Sequence, residues 1–175
     1  MSVSAQDHRF PEEKDSGGTR EHPWGDRGQL VALAAFLAIW LLDSFVLRFS
    51  TFLSGRVGLL VRLGASALVM ALAVFLVEGG HRAVPHEGPA AGLITDGAFA
   101  RVRHPLYAGS LLFYVSLVIA TLSLVSLAVW AGIFAFYDLI ASYEERRLIE
   151  IFGPAYQAYR ARVPKWFPRV RAVKS

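Results

Sequence analysis

The chain has 175 residues, 54% of them hydrophobic and 18% charged, and a mean hydropathy of +0.42, which excludes an ordinary water-soluble domain of this size. It contains no cysteine, which excludes disulfide frameworks, iron–sulfur clusters, thiolate zinc sites and cysteine nucleophiles. The net charge of +4 gains meaning only from where the charges fall.

Residues 1–28 mix acids (Asp7, Glu12, Glu13, Asp15, Glu21, Asp26) with bases (Arg9, Lys14, Arg20, Arg27) and hold hardly any apolar cluster. Such a segment buries too little surface to offset its ordering entropy, so a disordered cytoplasmic tail is expected there. No apolar run begins before about Leu30, which argues against a secretory signal peptide. The remainder, 29–175, reads as one membrane domain.

Leu30–Leu47 is an 18-residue apolar run interrupted only by Asp43, nearly enough helix to span a hydrocarbon core of about 30 Å. A second span is expected over about 57–77, with Arg62 in its first third. Ionisable residues within spans are functional suspects by default, and Asp43 and Arg62 also lie near span ends, where snorkelling or a stabilising pair suffices. A polar stretch, Glu78–His104, follows. Its Glu78, His81, His86 and Glu87 lack regular ligand spacing, so a solvated interfacial loop is expected and no metal.

The 32 residues from Leu106 to Tyr137 carry no charge. As helix they would measure about 48 Å, too long for one untilted crossing. A tight helical hairpin is expected, with spans over 105–121 and 124–143 and the turn near Thr121, Ser123 and Ser126; one long, tilted helix is the alternative. Four spans put the 78–104 loop and both termini on one side. That side then collects 15 of the 18 lysines and arginines, the asymmetry expected of the cytoplasmic face of an inner or cytoplasmic membrane. The fold class is thus all-α integral membrane, with about four transmembrane helices, a C-terminal helical hairpin and an interfacial helix within a cytoplasmic segment, 144–175. Trp24, Trp40, Trp130 and Trp166 suit interface anchors.

Two places carry potential chemistry. In LITDGAFARVRHPLY, Leu93–Tyr107, Pro105 suits the first helical turn and pushes His104 into an extended conformation. Arg103 and His104 then stand at a helix mouth whose unpaired N–H groups, with a forked guanidinium, suit an anionic group; lipid phosphate and simple helix capping are the plainer uses. Glu144-Glu145 follows the fourth span. One carboxylate suits ribose hydroxyls or a cation, and the other a partner such as Arg101 or Arg103; an exposed pair supported by Arg147 is the plainer use. The hairpin returns both places to the same membrane face, where together they would seat a zwitterionic ligand.

The string RHPLYAG at Arg103–Gly109, the hydrophobic hairpin, and EERRLIEIFGPAYQAYRARVPKWFP at Glu144–Pro168 resemble the isoprenylcysteine carboxyl methyltransferase family and its phospholipid methyltransferase relatives. The resemblance covers about Leu93–Pro168. It implies an integral-membrane, S-adenosylmethionine-dependent methyltransferase with a cofactor site formed by Arg103, His104, Tyr107, Glu144 and Glu145. It further implies a hydrophobic or lipid-borne acceptor (carboxylate, amine or thiol), membrane lipids as surroundings and no nucleic acid. The donor's carboxylate suits Arg103 and the Pro105 helix mouth, its ribose diol a glutamate, and its sulfonium the face of Tyr107. Two departures stand out: Gly97 is followed by Ala98-Phe99 where Pro-Tyr is frequent, and 138–143 lacks the arginine that prenylcysteine-modifying members carry before the paired glutamates. Two other classes remain open, a membrane NADPH-dependent reductase of the sterol-reductase-like type, which shares a similar RHP segment, and a non-catalytic membrane module.

Overall fold

The computed structural model describes residues 25–83 and 92–168. The expected tail, apart from residues 25–28, lies outside the described residues, as do His86, Glu87 and Trp24. Five α-helices follow in order: α1 (Gly25–Leu41), α2 (Leu59–Ala83), α3 (Pro105–Thr121), α4 (Leu124–Phe152) and α5 (Pro154–Arg162). A π-helical segment, Leu42–Leu47, extends α1, and short 3-10 turns occupy Phe52–Gly55 and Gly97–Ala100. Helix α1 already begins at Gly25, inside the segment expected as tail.

Three helical stretches, Arg27–Leu47, Leu59–Ala83 and Leu124–Phe152, are long and apolar enough to cross a membrane, while α3 is apolar but only 17 residues long. The molecule is an all-α integral membrane protein. Lipid-facing positions such as Leu60, Leu68 and Val74 are exposed, as surfaces immersed in hydrocarbon require.

The hairpin takes shape from its sequence. Pro105 occupies the first turn of α3, where its missing N–H costs nothing. Leu122 ends the helix in the left-handed region (φ 54°). The Ser123 hydroxyl caps α4 by accepting from the Ser126 N–H at 3.0 Å, so the uncharged run breaks into two helices instead of one long tilted one.

Helices α2 and α3 form the closest pair because of a glycine. A Cβ on Gly109 would stand 2.5 Å from Val77 Cγ2 and 2.9 Å from the Ala73 carbonyl oxygen, so only glycine permits this approach. The main core joins Phe36 of α1 with Leu111, Tyr114 and Val118 of α3 and Ile133 and Tyr137 of α4.

The two ionisable residues within spans do not pair with each other. Asp43 is buried, accepting from the Ser50 N–H (3.1 Å), the Ser50 hydroxyl (2.5 Å) and the Ser123 hydroxyl (2.6 Å), which ties the α1–α2 connection to the α3–α4 turn. Arg62 reaches across to donate to the Ala120 carbonyl at 2.8 Å, satisfying an orphan acceptor at the end of α3. Trp40 and Trp130 turn inward, donating to the carbonyls of Leu117 and Leu111, and are held by protein rather than standing only as interface anchors.

Candidate functional site

Helix α4 runs past the end of α3, carrying Glu144 and Glu145 to the level of His104. All five residues singled out in the sequence, Arg103, His104, Tyr107, Glu144 and Glu145, meet there. Glu145 Oε1 accepts from Arg103 Nε at 2.9 Å and lies 3.2 Å from His104 Nε2. Its second oxygen faces Arg160 Nε at 3.5 Å. A carboxylate only accepts, so the His104 Nε2 position carries hydrogen. His104 Nδ1 stands 3.7 Å from Glu144 Oε2, and the Tyr107 hydroxyl donates to Glu144 Oε1 at 2.5 Å. The rings of His104 and Tyr107 lie nearly parallel, 6° apart in plane with centroids 5.7 Å apart.

The two glutamates have different situations. The side chain of Glu145 is 6% exposed and surrounded by three nitrogen-bearing side chains, whereas that of Glu144 is 24% exposed. Successive helical residues point about 100° apart, and here that angle sends one carboxylate inward to organise the site and leaves the other nearer its opening. Arg103, expected at the helix mouth, is committed elsewhere: its Nη1 donates to the carbonyls of Val163 (2.7 Å) and Arg160 (3.1 Å). Arg101 does not join the glutamates and lies over the Phe75 ring.

A strap that follows α5 adds contacts that the spacing of motifs does not announce. Gly153, in the left-handed region (φ 51°), ends α4, and Pro154 starts α5 in a new direction. Residues 163–168 then run back over the site. Pro164 accepts from the Arg103 N–H at 3.0 Å, Lys165 Nζ donates to Asp138 Oδ1 (2.5 Å) and Ser142 Oγ (2.7 Å), and Trp166 Nε1 donates to Asp138 Oδ1 at 2.8 Å. The Trp166 ring sits 5.9 Å from that of His104. The signal was present in VPKWFP, where two prolines bar a helix and leave an extended segment.

Beneath the strap, Tyr159 donates to the Phe99 carbonyl at 2.7 Å. The hydroxyl of the fully buried Tyr156 has no hydrogen-bond partner among the described residues. Burial pushes both phenols up, Tyr159 to about 12, so both are protonated donors at neutral pH. No group of three or more histidines, aspartates or glutamates is placed to hold a metal ion among the described residues.

An apolar cleft of about 780 Å³ opens between α1 on one side and α2 and α3 on the other. Leu33, Ala73, Val77 and Phe113 line it, with Gln29 and His81 among its few polar residues. Tyr137 also lines it and packs against Tyr107, ring centroids 5.5 Å apart. Tyr107, between Tyr137 and Glu144, thus connects the cleft lining to the glutamate pair.

Fold and site together define a helical integral membrane protein with a buried cation–carboxylate cluster at one membrane face and an apolar cleft behind it. The chain belongs to the phospholipid methyltransferase family, whose model matches residues 57–155. It is 34% identical over 84 residues to the protein-S-isoprenylcysteine O-methyltransferase of Schizosaccharomyces pombe, covering 45% of this chain and 34% of that protein. It is 39% identical over 79 residues to the cobalt-zinc-cadmium resistance protein CzcN of Cupriavidus metallidurans, covering 45% of this chain and 36% of that protein. The chain therefore spans about a third of the length of these curated relatives. No solved structure matches it.

Proposed function

We propose that the protein transfers a methyl group from S-adenosylmethionine to a hydrophobic or lipid-borne acceptor, with Arg103, His104, Tyr107, Glu144 and Glu145 forming the cofactor site. The observation that carries this reading is the convergence of those five side chains, from positions about 40 residues apart, on one membrane face of a methyltransferase-family chain.

The residues fit the cofactor's chemistry. When bound, S-adenosylmethionine supplies an electrophilic methyl group on a cationic sulfur. Glu144, the more exposed carboxylate, accepts from ribose hydroxyls. The parallel rings of His104 and Tyr107 offer an aromatic face to a cation. The buried Tyr156 hydroxyl is an unspent donor, the kind of group a bound ligand satisfies. Glu145 does not contact ligand in this scheme; it fixes Arg103 and His104, and the strap excludes water from above. Catalysis of methyl transfer then rests on positioning and on an environment suited to the loss of the sulfonium charge.

The acceptor reaches this site from the bilayer through the apolar cleft. Its walls favour an alkyl or prenyl chain, with the reactive carboxylate, amine or thiol carried toward Tyr137 and Tyr107. By the positive-inside asymmetry, the site faces the cytoplasm.

Calorimetric titration of the detergent-purified protein with S-adenosylmethionine and with NADPH tests the reading. Saturable binding of the first alone, weakened by Glu144→Gln, is expected. Binding of NADPH alone would move the assignment to a reductase, and binding of neither by folded protein would favour a non-catalytic module.

A further inference from the structure

We propose that a second groove, separate from the cofactor site and the acceptor cleft, binds the phosphate headgroup of an anionic phospholipid between Arg101 and Arg162. The proposal is independent of the methyltransferase reading.

The groove encloses about 630 Å³ between the turn that precedes α3 and the end of α5, and is lined by Thr95, Ala100, Arg101, Tyr159, Arg162 and Pro168, among others. Its lining holds two guanidiniums and no carboxylate. Several cations on this face are matched, Arg103 and Arg160 by Glu145, Lys165 by Asp138, and Arg82 by Glu78, whereas Arg147 has the Tyr143 hydroxyl and ring as its partner. Arg101 and Arg162 form no ion pair among the described residues; Arg162 Nε donates only to the Ala158 carbonyl of its own helix, and Arg101 lies over an aromatic ring. Arg101 also borders a neighbouring hollow, lined by Phe75, Arg82 and Asp96 among others, without forming an ion pair to that aspartate. Two forked donors that line one concavity without a carboxylate in that lining suit a phosphate.

The position of Arg101 selects a lipid over a soluble anion. Its guanidinium carbon stands 5.3 Å from the centre of the Phe75 ring. Phe75 is exposed on the lipid-facing side of α2, eight residues before the helix ends at Ala83, which at 1.5 Å per residue is about 12 Å inside it. The charge is thus drawn down beside an apolar helix face. An amphiphile with phosphate between the arginines and an acyl chain beside Phe75 satisfies both halves of the arrangement.

Native mass spectrometry of the delipidated full chain, titrated with dioleoylphosphatidylglycerol and dioleoylphosphatidylcholine, tests the proposal. The anionic lipid is expected to bind preferentially, and Arg101→Gln/Arg162→Gln to reduce its affinity roughly 30-fold, the equivalent of about 1 kcal/mol for each arginine. Arg48→Gln/Arg56→Gln, at the other end of α2, is expected to leave the preference intact, and the double lysine variant to retain most of it. If the double glutamine variant does not fold, each single variant is expected to lose about 5-fold. Equal binding of the two lipids by the unaltered chain, or a preference that survives both glutamine substitutions, would overturn the proposal. So would displacement of the lipid by inorganic phosphate or by S-adenosylmethionine, which would assign the groove to a soluble anion or to the cofactor.

Discussion

Replacing Glu145 by glutamine keeps the shape of the side chain and removes its charge. In the native arrangement Oε1 accepts from Arg103 at 2.9 Å and from His104 at 3.2 Å. Glutamine retains one acceptor and presents an amide N–H₂ that must face a donor. Hydrogen bonds to charged groups are each worth about 1.5–3 kcal/mol, and removing one member of a buried ion pair costs about 3–5 kcal/mol. The Arg160 contact adds little, because that side chain is 52% exposed and its pairing is screened. A loss of about 3 kcal/mol follows, which for a domain of this size lowers the unfolding midpoint by roughly 6–12 °C. Glu144→Gln, at the more exposed carboxylate, is expected to move the midpoint by less than about 3 °C while weakening S-adenosylmethionine binding about tenfold or more, the equivalent of one hydrogen bond to a charged group. The assay is thermal unfolding in detergent paired with calorimetric titration, and a cycle combining Glu145→Gln with Arg103→Gln should give a coupling above about 1 kcal/mol. A coupling near zero, or Glu144 proving the more important for stability, would refute the division between an organising and a ligand-facing glutamate.

Four further outcomes follow from the geometry. Tyr156→Phe should leave the ligand-free protein as stable or up to about 1 kcal/mol more so, since it removes an unsatisfied buried hydroxyl, yet weaken cofactor binding; weakened stability with unchanged affinity would show the hydroxyl serves the fold. Gly109→Ala should destabilise by about 1–3 kcal/mol through collision with α2, whereas Gly132→Ala, where a Cβ meets nothing within 4 Å, should be neutral or stabilising by up to about 1 kcal/mol; thermal unfolding of the pair checks this. Asp43→Asn turns one acceptor into a donor facing the serine hydroxyls and should cost about 1–3 kcal/mol with cofactor affinity unchanged, because the cluster lies at the far end of the bundle. Lys165→Met should release the strap from Asp138, read as faster tryptic cleavage at Arg160 and Arg162 in the ligand-free state; an unchanged cleavage rate would show that Trp166 and the backbone contacts hold it alone.

Local chemistry explains what the sequence made legible. The break between α3 and α4 was readable because serines at a cap position announce a helix start, and the pairing of the RHP segment with the two glutamates because a hairpin returns the chain to its own level. Which glutamate holds Arg103 was not readable, since it depends on how α4 is rotated against α3, set by packing around Tyr114 and Tyr137. The closeness of α2 and α3 escaped notice because a lone glycine in an apolar helix looks like any other until its neighbour is known. The strap was hidden for another reason: its contacts join residues such as Asp138 and Lys165 that look like ordinary surface charges until the chain folds back. Asp43 and Arg62 stood out as anomalies, but their partners, serine hydroxyls and a helix-end carbonyl, leave no charge complement in the sequence to find.

The shortness of α3 sets where encounters happen. Seventeen residues make a rod of about 26 Å, less than the thickness of a typical hydrocarbon layer, so the histidine and tyrosine at its start lie no higher than the boundary between acyl chains and headgroups, while α4 continues seven residues past Glu145 to Phe152. On the proposed function, a molecule dissolved in the lipid meets this site by lateral diffusion, in two dimensions, without entering water. Turnover would then follow the acceptor's mole fraction in the bilayer, and dilution with inert lipid would slow the enzyme even at constant total acceptor.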